Sequence, residues 1–355
     1  MSFCIGDRHV GPGEPAFLVA EMSGNHLQDF DLAVRIIREA GAAGADAVKL
    51  QTYTPDTMTL DCAQPCFAIH HGTPWDGRTL YDLYGEAQTP WEWLPKLKEV
   101  AEREGLVCFS TSFDPTAVDF NEKMRVPAHK IASFEITDIP LIEYAASKGK
   151  PVILSTGIAS LGDIDLAVCA CRRMENEQII LLKCTSAYPA PVNKANLLTI
   201  PNLAETFGVV AGLSDHSLST TVPVGAVALG ACVVEKHLTL DRGAGGPDAA
   251  FSLEPREFRQ MAEMIREFEE ARGRVTYELD AQSRKNREFA RSLFITEEMG
   301  AGEPFTEANV RSIRPAYGLH PRYYSQILGK HARRDIRKGT PLSWDLIEGV
   351  RSREP

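Results

Sequence analysis

The sequence predicts an α/β protein, a (β/α)8 TIM barrel followed by a small C-terminal domain. Eight short apolar runs alternate with helical patterns over about 240 residues, which is typical of a closed parallel barrel. Each run also ends in ionisable or hydroxyl residues. An open doubly wound sheet is the alternative, but no G-x-G-x-x-G follows the first run, so a dinucleotide-binding domain is disfavoured.

The predicted strands, in chain order, are residues 16–21, 47–52, 106–112, 128–133, 151–157, 179–186, 209–216 and 232–237. The carboxyl ends of barrel strands meet on one face, where catalytic groups lie, so we expect the polar residues there to converge. A long insert, residues 53–90, separates the second and third strands. We expect it to shape access to that face; a packed surface flap is the alternative.

The C-terminal part contains an internal repeat, since MGAGEPFTEANV (299–310) aligns with IRKGTPLSWDLI (336–347). We therefore expect a barrel domain over residues 1–275, a linker over 276–290 and a small domain over 291–355. So small a domain is marginal alone, which predicts docking on a larger surface.

Composition and charge exclude several classes of partner. The chain carries a net charge of −10 and no block of Lys or Arg, which argues against nucleic acid. Apolar runs are far shorter than the roughly 18 residues that a membrane span needs, and the first residues lack a signal-peptide core. We therefore expect a cytoplasmic protein with neither a nucleic-acid nor a membrane partner.

Two histidines, His216 in GLSDHSL and His237 in VVEKHLTLDR, follow short apolar runs. On neighbouring barrel strands, two imidazoles could share a divalent metal such as Mn²⁺, Mg²⁺ or Co²⁺ and leave positions open for water and a substrate oxygen. Hydrogen-bonded loop histidines are the alternative.

Two lysines within strand candidates, Lys49 and Lys130, must pair with acids or bind an anion, because a lone buried charge is costly. Four serines on the same face could complete a phosphate site: Ser133, Ser155, Ser186 and Ser214. The alternative is an ion-pair ring with Glu21 and Glu135. These two carboxylates are also the candidate acid and base.

Long ordered motifs resemble the sialic acid synthase family: AEMSGNH, AGADAVKLQTY, LLKCTSAYPAP, GLSDHSL and EKHLTLDRGAGGPDAAFSLEP. The C-terminal repeat with SIRPAYGLHP resembles the antifreeze-like (SAF) domain of these enzymes. Within the family, the insert and the run SFEITDIPLIEY resemble the branch that makes pseudaminic acid. Phe134 and Ser186 depart from the general family pattern and agree with that branch.

The resemblance implies condensation of phosphoenolpyruvate with 2,4-diacetamido-2,4,6-trideoxy-L-altrose, giving pseudaminic acid and phosphate. It implies His216 and His237 as metal ligands, Glu21 and Glu135 as carboxylates near the reacting carbons, and Tyr188 on the sugar side. The residues that match phosphoenolpyruvate-binding positions are Lys49, Thr111, Lys130, Ser133, Ser155, Ser186 and Ser214.

The resemblance also implies a domain-swapped homodimer in which Arg314 reaches the partner's active site; a surface arginine is the alternative. Two other functions remain open at this point. One is an N-acetylneuraminate or legionaminic acid synthase, and the other is a carbohydrate-binding protein without catalysis.

Overall fold

The computed structural model describes residues 2–70, 72 and 75–350, and its first feature is a closed barrel of eight parallel strands. Small parts of the predicted insert (71, 73 and 74) and both chain ends (1 and 351–355) lie outside the described residues. The predicted α/β barrel is therefore confirmed.

A hairpin of two short strands, β1 (Phe3–Ile5) and β2 (Arg8–Val10), precedes the barrel. The barrel strands are β3 (Phe17–Glu21), β4 (Ala47–Thr52), β5 (Val107–Ser112), β6 (His129–Ile131), β7 (Val152–Ser155), β8 (Ile179–Cys184), β9 (Val210–Asp215) and β10 (Val233–His237). They follow one another around the barrel in chain order, and β10 closes it against β3.

Helices connect the strands and cover the barrel. Those of the barrel unit are α1 (Phe30–Ala42), α2 (Pro55–Met58), α3 (Leu80–Ala87), α4 (Leu94–Arg103), α5 (Pro115–Lys123), α6 (Ile139–Ala146), α7 (Leu161–Arg173), α8 (Thr199–Phe207), α9 (Thr221–Ala228) and α10 (Pro255–Arg272). Several begin at a side-chain cap; the Asp29 carboxylate, for example, accepts from the first turn of α1.

The strands form where predicted because both of their faces are buried, which makes each one a nearly continuous apolar run. Inside the barrel, Phe17, Phe109, Ile153 and Leu182 pack with the hairpin residue Ile5. The main departure is β6, which ends at Ile131 although the apolar pattern runs to Ser133. The chain turns there into a 3-10 helix, Ser133–Glu135.

The second compact unit begins at Arg274, and the barrel unit ends at Gly273. The second unit contains α11 (Ala281–Asn286), which lies within the stretch expected as a linker, and then β11 (Ser292–Ile295), β12 (Val310–Ile313) and α12 (Tyr324–Ile327). The starts of the two repeats pair with each other, since Met299 and Ile336 exchange backbone hydrogen bonds of 2.9 and 2.8 Å. Among the described residues, no helix has the length and apolarity needed to cross a bilayer.

Candidate active site

A cavity of about 450 Å³ opens at the carboxyl ends of the barrel strands. Sequence-predicted residues that line it are Glu21, Lys49, Thr111, Lys130, Ser133, Glu135, Ser155, Tyr188, Ser214, His216 and His237. The Ser186 hydroxyl lies 3.0 Å from that of the lining residue Ser133. Arg314 belongs to the second unit, where it is exposed after β12.

Strand register brings the two histidines together. In the β9–β10 pair, Asp215 lies opposite Lys236. His216 follows Asp215 in the chain and His237 follows Lys236, so the two histidines are also neighbours. Their ring centroids are 5.1 Å apart. Two imidazoles on one ion, each with a metal–nitrogen distance of about 2.1 Å, have centroids no more than about 6.5 Å apart. The observed separation fits a shared ion.

Both imidazoles are buried and are held neutral. Burial lowers the pKa of His216 to about 4 and that of His237 well below its usual value, since the low-polarity surroundings disfavour the cation. His237 Nδ1 has no hydrogen-bond partner within the described structure. Neutral rings with a free nitrogen lone pair are the form that binds metals.

Aromatic side chains enclose the histidine pair. Tyr188 packs on His216 with ring centroids 4.7 Å apart, and Phe251 packs on His237 at 5.0 Å. Trp75, from the insert, lies over Tyr188 at 5.5 Å. These apolar rings exclude water from the imidazoles and so account for the depressed pKa values.

A buried cluster surrounds the ammonium group of Lys49. Its Nζ lies 2.6 Å from Glu21 Oε2 and 3.7 Å from Glu235 Oε1, and it donates to Thr111 Oγ1 at 3.0 Å. Glu235 also accepts from Ser214 at 3.0 Å. For Lys49, the structure therefore shows the ion-pair alternative, with Glu235 rather than Glu135 as the second acid.

The cluster shifts the ionisation of its members. Burial raises the pKa of Glu21 to about 7, although Lys49 opposes the shift. Burial also disfavours the Glu235 carboxylate, but attraction to Lys49 and Lys130 outweighs it and lowers the pKa of Glu235. The Glu21 carboxyl therefore titrates near neutral pH, while the neighbouring Glu235 stays ionised.

Lys130 forms no salt bridge with a carboxylate among the described residues, and its ammonium group lies against hydroxyl and carbonyl oxygens. Its Nζ donates to Ser155 Oγ and to the Ile131 carbonyl, both at 2.7 Å, and burial lowers its pKa to about 8. Nearby, the Ser133 hydroxyl accepts from the Ile158 backbone N–H at 3.1 Å. An ammonium group beside serine hydroxyls is the donor set that suits a phosphate or carboxylate group.

Glu135 stands apart from these clusters at the end of the 3-10 helix. Its Oε2 atom is buried and finds no hydrogen-bond partner in the described part of the chain, and burial raises the pKa of its carboxyl to about 7. A carboxyl group with this pKa and one free oxygen can both donate and accept a proton near neutral pH.

Sequence reasoning assigned no role to several polar residues of the cavity wall. Glu235 is one. Asp248, in the loop after β10, accepts a hydrogen bond from Ser23, whose hydroxyl also accepts from Gln51 at 2.9 Å. Gln51 in turn donates to Glu21 Oε1 at 2.8 Å. The polar ends of β4 and β10 signalled Gln51 and Glu235, whereas the loop position of Asp248 carries no periodic signal.

The comparisons with known proteins agree with this geometry. Residues 36–277 match the NeuB family model, and residues 290–348 match the SAF domain. The chain belongs to the NeuB family. The predicted resemblance and the predicted barrel-plus-SAF architecture are thereby confirmed. Among the described residues, no group of three or more His, Cys, Asp or Glu side chains is arranged to hold a metal ion.

Three relatives illustrate the similarity. The chain is 45% identical over 336 residues to the pseudaminic acid synthase of Helicobacter pylori, covering 94% of this chain and 98% of that protein. The crystal structure of spore coat polysaccharide biosynthesis protein SpsE from Bacillus subtilis matches with a TM-score of 0.67 and 34% identity, over 98% and 99% of the two chains. N-acetylneuraminic acid synthetase from Leptospira borgpetersenii matches with a TM-score of 0.72 and 31% identity, over 81% and 95%.

Proposed function

We propose that this protein is a pseudaminic acid synthase, which condenses phosphoenolpyruvate with 2,4-diacetamido-2,4,6-trideoxy-L-altrose and releases phosphate. The observation that carries the proposal is the content of one cavity: a lysine–serine cluster beside two neutral imidazoles that lie 5.1 Å apart. The similarity to the Helicobacter pylori enzyme, at 45% identity against 31% for the N-acetylneuraminic acid synthetase, favours this sugar.

Phosphoenolpyruvate would bind along the lysine–serine side of the cavity. Lys130 and Ser155 supply charge-assisted and neutral donors, and Lys49 adds a second ammonium group. The complete proposed set is Lys49, Thr111, Lys130, Ser133, Ser155, Ser186 and Ser214. Because Glu21 and Glu235 fix the Lys49 ammonium in place, that charge needs little reorganisation when the anion arrives.

His216 and His237 would hold a divalent metal such as Mn²⁺, Mg²⁺ or Co²⁺. The fit rests on their separation, their neutrality and the unpartnered Nδ1 of His237. When bound, such an ion acts as a Lewis acid on the aldehyde oxygen of the sugar. Tyr188 and Phe251 hold the two rings and keep bulk water away from them.

Glu135 would move the protons. The methylene carbon of phosphoenolpyruvate bonds to the aldehyde carbon, and the neutral Glu135 carboxyl gives its proton to the aldehyde oxygen. Water then adds to C2 of the former phosphoenolpyruvate and returns a proton to Glu135. The C2–O bond to phosphate breaks, the hydroxyl proton leaves with phosphate, and the C2 ketone of the nine-carbon acid remains. A pKa of about 7 suits both transfers.

Glu21 would orient rather than transfer protons. Gln51 occupies its Oε1 atom, and the Lys49 ammonium contacts its Oε2 atom. We also propose a cytoplasmic domain-swapped homodimer in which Arg314 contacts the sugar bound by the partner. The exposure of Arg314 in the second unit supports this role.

Phosphate release tests the function. The enzyme should release phosphate only when phosphoenolpyruvate, the diacetamido sugar and a divalent metal are all present, and chelation followed by metal addition should restore the rate. A higher kcat/KM on N-acetylmannosamine or on the legionaminic acid precursor would assign another branch of the family. No release with any of the three sugars would reject a synthase and leave a carbohydrate-binding protein.

A separate spectroscopic test addresses the ion. Electron spin-echo spectra of the Mn²⁺-loaded protein should show coupling to imidazole nitrogen, and His216→Ala with His237→Ala should remove it. Unchanged spectra in that double variant would reject the two histidines as ligands.

A further inference from the structure

The insert between β4 and β5 forms an apolar wall of the active-site cavity. Its residues Ile69 and Leu83 line the cavity and are only 6% and 7% exposed, and Leu80 lines it beside them. Met58, Ala68 and Ala87 extend the same surface. The proposed reaction uses none of these side chains.

Hydrogen bonds fix this wall to the barrel at several points. The Trp75 indole N–H donates to the Pro247 carbonyl at 2.8 Å, which ties the insert to the loop after β10. The Gln28 side-chain amide donates to the carbonyls of Glu86 and Gln88 at 2.9 and 2.6 Å. An apolar surface anchored in this way is formed before a ligand binds.

The cavity lining is therefore chemically mixed. The strand residues Lys49, Lys130 and Glu235 contribute charge to it, while the insert residues Ile69 and Leu83 contribute an apolar side. A hydroxyl group placed against the apolar side would lose its water without gaining a hydrogen bond. A methyl group placed there would be removed from water and gain contacts.

We propose that Ile69, Leu80 and Leu83 form a subsite for the methyl-bearing end of the sugar, which selects a deoxy, N-acetylated substrate over a hydroxylated one. This inference deepens the proposed function and rests on it for the identity of the sugar. The subsite gives the insert a role in specificity: it recognises the absence of a terminal hydroxyl, while the barrel strands hold the reacting groups.

The test replaces one wall residue by a polar residue of similar size. Leu83→Asn should weaken binding of the diacetamido-trideoxy sugar, measured by calorimetry without phosphoenolpyruvate, by about tenfold or more. The same variant should change the dissociation constant of N-acetylmannosamine, whose C6 carries a hydroxyl, by less than about twofold. Leu166→Asn, a matched change at a 54% exposed position of α7, should alter neither.

A second variant covers the case in which Leu83→Asn does not fold. Leu80 is only half-buried, and Leu80→Gln should show the same selective loss. Equal weakening of both sugars, no weakening of the trideoxy sugar, or wild-type protein that does not bind that sugar would each overturn the subsite. A different outcome would reject the proposed reaction and keep the subsite. In that case the wild-type protein binds the trideoxy sugar and the variants weaken this binding, but no product forms when phosphoenolpyruvate is added.

Discussion

Substitution of Gly157 by alanine tests the anion site directly. Gly157 follows β7, and a Cβ atom there would lie 2.2 Å from Ser186 Oγ and 2.6 Å from Ser133 Oγ. Ordinary van der Waals contact begins at 3.4 Å, so each hydroxyl must move by about 1 Å. Neither moves freely, because the two hydroxyls bond to each other at 3.0 Å and Ser133 also accepts from Ile158 at 3.1 Å.

A displacement of about 1 Å in a positioning group can cost about 100-fold in rate. We therefore expect Gly157→Ala to lower kcat/KM for phosphoenolpyruvate by about two orders of magnitude, with less than about a threefold change in KM for the sugar. Steady-state phosphate release with each substrate varied in turn measures both. Gly162→Ala in α7 is the control, since its nearest neighbour to the new Cβ, Ser160 Oγ, lies 3.8 Å away. A folded Gly157→Ala protein with wild-type kinetics for phosphoenolpyruvate would show that the Ser133 and Ser186 hydroxyls do not position this substrate.

Three other predictions follow from the contacts. Glu135→Gln should lower kcat by about 100-fold or more. The wild-type kcat should fall as the pH rises through about 7, because the Glu135 carboxyl then loses the proton that it donates. The same pH profile in the variant would contradict this role of Glu135. Lys236→Met should lower the free energy of unfolding, measured in urea, by about 3–5 kcal/mol, since it leaves Asp215 buried without its ion-pair partner. Adding Asp215→Leu to this variant should recover part of the lost stability. If the two substitutions instead destabilise the protein additively, the ion pair does not contribute as proposed. Inactive His237→Ala and Arg314→Ala dimers should recover about a quarter of the wild-type rate when they are mixed and exchange subunits, if Arg314 acts in the partner's site. About half of the dimers are then mixed, and one of the two sites in each mixed dimer is intact. No activity should return if Arg314 acts within its own chain.

The barrel could be predicted from the sequence because its strands are buried on both faces. Each strand therefore appears as a continuous apolar run, and the predicted 47–52 coincides with β4. The apolar pattern failed at Ser133, where the chain leaves the sheet for a 3-10 helix, since periodicity does not show where backbone pairing stops.

The location of part of the site could be predicted once the strands were identified. Strand ends converge in any barrel, so Lys49 and His237 could be placed on one face before their contacts were known. Pairing within that face could not be deduced, because the choice of Glu235 over Glu135 as a partner for Lys49 depends on the register of β10 against β3 and β9. The apolar wall of the insert could not be predicted either, because the burial of Leu83 in the short helix α3 does not by itself show which cavity that side chain lines.

An ¹⁸O label shows which bond of phosphoenolpyruvate breaks during the proposed condensation. The enzyme would be incubated with the diacetamido-trideoxy sugar and with phosphoenolpyruvate that carries ¹⁸O at the oxygen bridging carbon and phosphorus. The masses of both products would then be measured by mass spectrometry. We expect pseudaminic acid without label and phosphate carrying one ¹⁸O atom, because water supplies the new oxygen at C2 and the C2–O bond breaks. Label retained in the nine-carbon acid would exclude cleavage of the C2–O bond, and the absence of that acid would exclude the proposed synthase reaction.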